Sequence, residues 1–178
     1  MFARHGFART TVDLIAAETG VAKGTLYLYY PSKVAIYSAA VIAGLRELAA
    51  ATTESLAADV PIREKLRRLL EMRVRYFEER ADFFRIYNAE IGNLGQGAVQ
   101  IRQEYRRLYE QQVDSLAAEL RRATRAGAIR AIDAQHVAFA VLDLAHGIVQ
   151  RRLDAASATT VEDVDAVLTM IWKGIEKQ

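Results

Sequence analysis

The sequence predicts an all-α chain, with a small helix-turn-helix head over residues 1–45 and a larger helical body over residues 46–178. Three observations carry this. Apolar residues recur at three- and four-residue spacing through nearly the whole chain, and no segment alternates with the two-residue period of a strand. Only two of the 178 residues are Pro, so long helices can run uninterrupted. Near the N-terminus, two short helical patterns flank Glu18-Thr19-Gly20-Val21, the arrangement of two helices joined by a tight Gly-containing turn.

The elements follow in order. Met1 to His5 read as the last turn of a helix, stopped by Gly6. A second helix begins at Thr10 or Thr11, whose hydroxyl can cap an orphan amide, and Thr10-x-x-Asp13 approximates a capping box. Val12, Ile15, Ala16 and Thr19 share one face, Gly20 suits a left-handed turn, and Val21 is expected to plug the gap between the helices. The third helix runs from Ala22 to about Tyr29, with Leu26 and Tyr30 as core residues of the head. Pro31 stops it and Ser32 can cap the fourth helix, Lys33 to about Ala58, which carries Tyr37, Val41, Leu45 and Leu48 on one stripe. Pro61 fits the first position of a fifth helix in which Ile62, Leu66, Leu69, Arg73 and Phe77 line up. Asp82 caps a short aromatic-rich helix ending near Gly92, and Asn93 to Gly97 form a loop. A long helix follows to about Arg125, with Ile101, Tyr105, Tyr109, Gln112, Leu116 and Leu120 on one face, and Gly127 ends it. Asp133 opens a helix with two apolar stripes, Val137, Val141, Leu144, Ile148 and Phe139, Leu142, Val149, Leu153, so it must be covered on two sides. The last helix, Val161 to about Lys177, repeats Val164, Leu168, Ile171 and Ile175. Its acidic start (Glu162, Asp163, Asp165) and basic end (Lys173, Lys177) complement the helix dipole.

Composition narrows the class. Hydrophobic residues make up 52% and charged residues 26%, and there is no Cys, so a packed core is expected without disulfides or a thiolate–metal framework. No apolar run has signal-peptide length at the N-terminus or approaches ~18 uninterrupted residues, which points to the cytoplasm. Residues 1–33 hold Arg4, Arg9, Lys23 and Lys33 against Asp13 and Glu18, so the whole net charge of +2 lies in the head and the rest of the chain is neutral. A positive head on a neutral body fits phosphate contact through one end.

The third helix has the chemistry for that contact. Gly24 removes a side chain where a backbone would meet a groove. Thr25 offers a hydroxyl and a methyl to a base or phosphate, and Lys23 can reach guanine acceptors or a phosphate. Tyr27 and Tyr29 can donate to phosphates and fix register without reading sequence. Lys33 can hold a further phosphate. The stretch FARTTVDLIAAETGVAKGTLYLYYPSK closely resembles the tetracycline-repressor (TetR) family, whose matching segment runs roughly GF-x-x-TTV-x-x-IA-x-x-x-GV-x-KGTLY-x-YF-x-SK. The resemblance implies DNA-contacting roles for Thr11, Lys23, Gly24, Thr25, Tyr27, Tyr29 and Lys33, and a regulator with a double-stranded DNA operator. Three positions depart from the pattern. Ala22 replaces a usual Ser, a missing cap hydroxyl that costs about 0.5–2 kcal/mol; Tyr30 replaces a usual Phe; Val34 replaces a common acidic residue. Family members also carry about two further helical turns before Met1.

The body is read as the ligand-binding and dimerisation domain. One such head offers little surface, and dimers reading half-sites about 34–36 Å apart are the usual solution. The last two helices, through Val137, Val141, Leu144, Ile148, Val164, Leu168, Ile171 and Ile175, are expected to pair with a second copy in a four-helix bundle, as the resemblance favours; the competing reading gives these stripes to an internal core. The aromatics Phe77, Phe84, Tyr87, Tyr105, Tyr109 and Phe139, with Asp143 and His146 as polar points beside His136, are the candidates for a cavity that takes a small apolar or aromatic effector. Two His and one carboxylate are too few for a metal, so no metal and no cofactor is expected. Arg73, Arg102 and Arg106 could hold an acidic ligand, but such charges are more often solvated helix faces. There is no Gly-rich phosphate loop, paired catalytic carboxylates or Ser-centred elbow, so an enzyme is not expected. The alternative is a regulator-like dimer that has lost DNA binding and serves only a ligand or protein partner.

Overall fold

The computed structural model describes residues 1–92, 99–155 and 161–177. The predicted loop at Asn93 to Gly97 and the side chains of Leu153 and Glu162 lie outside the described residues. The chain is all-helical: α1 (Phe2–Arg9), α2 (Val12–Thr19), α3 (Lys23–Tyr29), α4 (Lys33–Ala57), α5 (Ile62–Glu79), α6 (Ala81–Gly92), α7 (Val99–Arg125), α8 (Ala134–Ala155) and α9 (Val161–Ile175). These form two compact units. The first joins Met1–Arg46 to Arg80–Arg106; the second joins Glu47–Glu79 to Arg107–Gln178. The sequence-based division at residues 45 and 46 did not include the stretch from Arg80 to Arg106 with the head.

In the first unit, Gly6 breaks α1 with φ 75° and ψ 162°, as a glycine stop requires, and one further turn follows it. The two threonines divide the work between them. Buried Thr10 donates its hydroxyl to the Gly6 carbonyl at 2.8 Å and closes α1. Thr11 caps α2, its hydroxyl oxygen accepting from the Leu14 amide at 3.2 Å. Val12 and Ile15 are buried, whereas Thr19 is exposed and bonds back to the Ile15 carbonyl. Gly20 takes the left-handed conformation, φ 68°. Val21 does not plug the gap; it remains 37% exposed, and among residues 23–29 only Leu26 is part-buried. Ser32 caps α4, accepting from the Ala35 amide.

Sequence periodicity gave no hint of how α1 is fixed. The Lys33 ammonium donates to the carbonyls of Phe7 (2.8 Å) and Ala8 (3.3 Å) and stands 4.4 Å from the centre of the Phe7 ring. Phe2, Phe7 and Tyr37 cluster beside it, with Phe2–Tyr37 and Phe7–Tyr37 centroids 5.0 and 5.2 Å apart. Helix α1 also packs on α6. Farther along α4, Gly44 lets the Phe83 ring of α6 lie on its backbone, because a Cβ there would come within 3.0 Å of three ring atoms.

The second unit is built on α5, which packs against both α8 and α9, while α8 and α9 touch each other. Leu66, Leu69, Leu70 and Phe77 of α5 are buried with Leu116 and Leu120 of α7. Arg67 pairs with Asp165, and the Arg63 guanidinium stands 5.7 Å from the Trp172 ring centre, so charged side chains clamp α5 to α9 at the surface. Lys65, mostly buried, donates to the Leu56 carbonyl and to Glu119, each at 2.8 Å. Arg73 is not a solvated face. It is 1% exposed and donates to Gln112 Oε1 at 2.7 Å, beside the buried Thr52 hydroxyl. Long α4 is apolar enough to cross a membrane by length and composition. It nevertheless buries Val41 and Leu45 in the first unit and Leu48, Thr52 and Leu56 in the second, as a core helix does.

The residues expected at a dimer surface are largely buried already within the single chain. Val141, Ile148, Val164, Leu168, Ile171 and Ile175 are at most 9% exposed within the single chain. Helix α5 lies against both α8 and α9, and α8 and α9 pack on each other. Periodicity reports that a face is covered, not by which partner. Only Val137 and Leu144 stay part-exposed.

His146 of α8 meets Phe77 edge-on, with centroids 6.3 Å apart. Burial, then the nearby Arg73 charge, push its pKa below the ordinary 6.5, more than Asp143 pulls it up. Below pH ~6.5 the unfolded chain therefore binds the proton more tightly than the folded one, and stability falls as pH falls through that range. Denaturant unfolding of wild type should show this loss between pH 7 and 5, and His146→Gln should flatten it; an unchanged slope in the variant refutes the assignment. For the α4–α6 contact, Gly44→Ala should cost about 1–3 kcal/mol from overpacking, less ~1 kcal/mol of helix propensity. In a Phe83→Leu background the same change should become neutral or stabilising, measured as a double-mutant cycle.

Candidate nucleic-acid interface

Helix α3 is seven residues long and buries none of them. Its N-cap, Ala22, offers no side-chain bond, so the missing hydroxyl inferred from sequence is a structural fact. Lys23, Gly24, Thr25, Tyr27 and Tyr29 are all exposed, Tyr27 at 45% and Tyr29 at 76%. Leu28, which sequence reasoning passed over, is 83% exposed. Its signal was available, since it lies on neither the Leu26 nor the Tyr30 side of the helix. A Cβ at Gly24 would meet no atom within 4 Å, so packing inside the chain does not require a glycine there. A glycine in a helix costs ~1 kcal/mol relative to alanine, and no close contact at Gly24 calls for one.

The cations of the head are not equally available. Lys23 pairs with Asp13 across the α2–α3 turn, 2.8 and 2.9 Å from the two carboxylate oxygens. That hydrogen bond, reinforced by the Asp13 charge, holds the ammonium above the usual lysine range. Arg4 pairs with Glu18 at 2.9 Å. Lys33, expected to hold a phosphate, directs hydrogen bonds at two α1 carbonyls. Thr11 is exposed and its oxygen is occupied as the α2 cap, which leaves the hydroxyl proton for an outside acceptor. Arg9, next to the α2 start, is exposed and bonds only backbone, its Nε donating to the His5 carbonyl, and makes no ion pair among the described residues.

The residues expected to bind effector divide between the units. Phe84, Tyr87 and Tyr105 belong to the first, where Phe84 and Tyr87 stack at 6.4 Å and Tyr87 meets Tyr105 edge-on at 5.7 Å. Phe77, Tyr109, Phe139, Asp143 and His146 belong to the second. There, the Tyr109 hydroxyl donates to Asp143 at 2.7 Å and its ring meets Phe139 at 5.8 Å. Phe139 is 51% exposed and Asp143 is exposed, so within the single chain these two stand at the surface of their unit rather than inside it. His136 is also a surface residue. It sits on the Asp133 cap, whose carboxyl is held below its ordinary value by bonds from the His136 amide and then its ring. No cluster of three metal-ligating side chains occurs among the described residues.

Comparison with known proteins agrees with this geometry. Residues 1–40 match the family described as bacterial regulatory proteins, tetR family, and residues 59–150 match the tetracyclin repressor-like C-terminal domain. The HTH-type transcriptional regulator YhgD of Bacillus subtilis is 23% identical over 145 residues, 80% of this chain and 73% of that protein. The fold is similar to the TetR family regulator PfmR from Thermus thermophilus, with TM-score 0.78, 28% identity, and 99% and 94% of the two chains covered. A Clostridium perfringens putative fatty acid metabolism regulator gives TM-score 0.80 at 25% identity, covering 99% and 95%. With the head and most of the body each matched by its own family model, the chain belongs to the tetR family of bacterial regulatory proteins and is a helix-turn-helix transcriptional regulator.

Proposed function

We propose that this regulator acts in the cytoplasm as a homodimer whose paired α3 helices read two half-sites of an operator, and that it represses until a small apolar or aromatic effector releases it. The observation that carries the reading is the dispensability of the α3 surface to the fold. A short helix exposing Leu28 and Tyr29, with an open-sided Gly24, serves a surface beyond the chain. Lys23 and Leu28 face bases, the tyrosines and Thr11 face phosphates, and Arg9 adds a phosphate contact.

The partner copy is assigned to the face of α8 and α9 that α5 leaves uncovered. It carries Ala140, Leu144 and Gly147 on α8 and Ala166, Met170 and Gly174 on α9. Gly147 and Gly174 support this, because a Cβ at either would meet nothing within 4 Å in the single chain. Two open glycines on adjacent helices suit close approach by a second copy.

The effector is assigned to the aromatic ladder of Phe84, Tyr87 and Tyr105. An apolar ligand inserting there displaces α6, which touches α4 at Gly44 and packs on α1, so the head moves with it. A full switch of operator occupancy needs ~5.5 kcal/mol of preference for the released state. The similarity to a fatty acid metabolism regulator fits an effector with an aliphatic tail.

Gel shifts with the promoters of its own and adjacent genes test the reading. Salt-sensitive binding supports it, whereas a folded dimer that binds no duplex at low salt supports a protein that serves only a ligand or a protein partner. Leu28→Ala should leave stability within about 0.5 kcal/mol and weaken operator binding about tenfold, one lost base contact. Tyr29→Phe should weaken all duplexes alike. Gly147→Arg should raise the dimer dissociation constant by ~100-fold or more in sedimentation experiments, because it forces a charge into the seam; a dimer of wild-type strength would place the seam elsewhere.

A further inference from the structure

We propose that Asp13 is a specificity-determining residue, which by pairing with Lys23 withholds that ammonium from phosphates and leaves it for base edges. The inference rests on the DNA-reading assignment of α3. Its basis is the charge arrangement of the head. Residues 1–33 have two acids, and each is occupied by a cation, Glu18 by Arg4 and Asp13 by Lys23. Every other residue of α3 is uncharged, so the pairing leaves the recognition helix without net charge.

Asp13 stands in the first turn of α2, where a carboxylate is favoured by the helix N-terminus. The pair is solvent-accessible, with side-chain exposures of 48% for Lys23 and 68% for Asp13, so the ammonium can be approached by DNA without breaking any core contact. An ammonium has three donors. Guanine N7 and O6 are neutral acceptors and can take one donor while Asp13 keeps another. A phosphate cannot do so on equal terms, because two anions would then converge on one cation. The pair therefore reduces the sequence-independent attraction of α3 and preserves its base contact. Nonspecific affinity is left to Arg9, which is exposed and makes no ion pair among the described residues.

The test uses the full-length dimer, a duplex that wild type selects from a randomised library, and poly(dI·dC) as nonspecific DNA. Asp13→Asn should raise affinity for poly(dI·dC) on the order of tenfold at ~0.1 M salt and steepen the salt dependence by about one phosphate contact. Affinity for the selected duplex should rise less, so the ratio of the two falls. In a Lys23→Met background the substitution should change nothing, and Asp13→Glu should restore the wild-type ratio. An unchanged ratio in Asp13→Asn overturns the proposal, as does a gain that persists with Lys23→Met. Parallel loss on both DNAs with a lowered thermal midpoint means that the pair only holds α2 to α3, and overturns it too. Wild type that selects no duplex at all defeats the DNA-reading assignment itself, an outcome distinct from the others because in those the wild-type protein binds.

Discussion

The DNA-facing end of this protein depends on fixing a helix too short to hold itself. Isolated helices below about 12–15 residues are marginal in water, and α3 has seven residues, with no cap side chain and no buried residue. Its position comes from its ends. The left-handed Gly20 starts the turn, the Lys23–Asp13 pair bridges the turn, and Pro31 and Ser32 hand the chain to α4. Helix α4 is in turn tied back to α1 through Lys33, Phe7 and Tyr37. Each tie is small, and together they orient a surface that contributes almost nothing to its own stability.

The fold was readable in the sequence where local chemistry decides it. Gly6, Gly20, Thr11, Pro31 and Ser32 acted as the stops and caps their side chains dictate, because capping and left-handed turns depend on neighbours within four residues. The exposed positions of α3 were readable for the same reason, and Leu28 is marked in the same way by its place away from both Leu26 and Tyr30.

Contacts between distant residues were not readable. Nothing in the local sequence marks Gly44, although it is where Phe83 meets the backbone. Arg73 looked like a solvated charge, although it is buried and bonded to Gln112. Val141, Leu168 and Ile175 announced a covered face, and they are buried within the single chain, where α8 and α9 pack on α5 and on each other. Spacing along one helix sets which residues share a side; only the tertiary arrangement sets what lies against that side. The same limit divided the aromatic candidates, which share a residue type without sharing a compact unit.

A surface that carries no structural duty is free to diverge. Because Gly24, Thr25, Leu28 and Tyr29 support no core, exchanges at these positions cost the fold little, and descendants of this chain can drift toward new promoter sequences while keeping one scaffold. Lys33 and Thr10 have no such freedom, since each holds a backbone in place. Duplicated copies of such a gene should therefore diverge first along one short helix and stay alike in the residues that brace it.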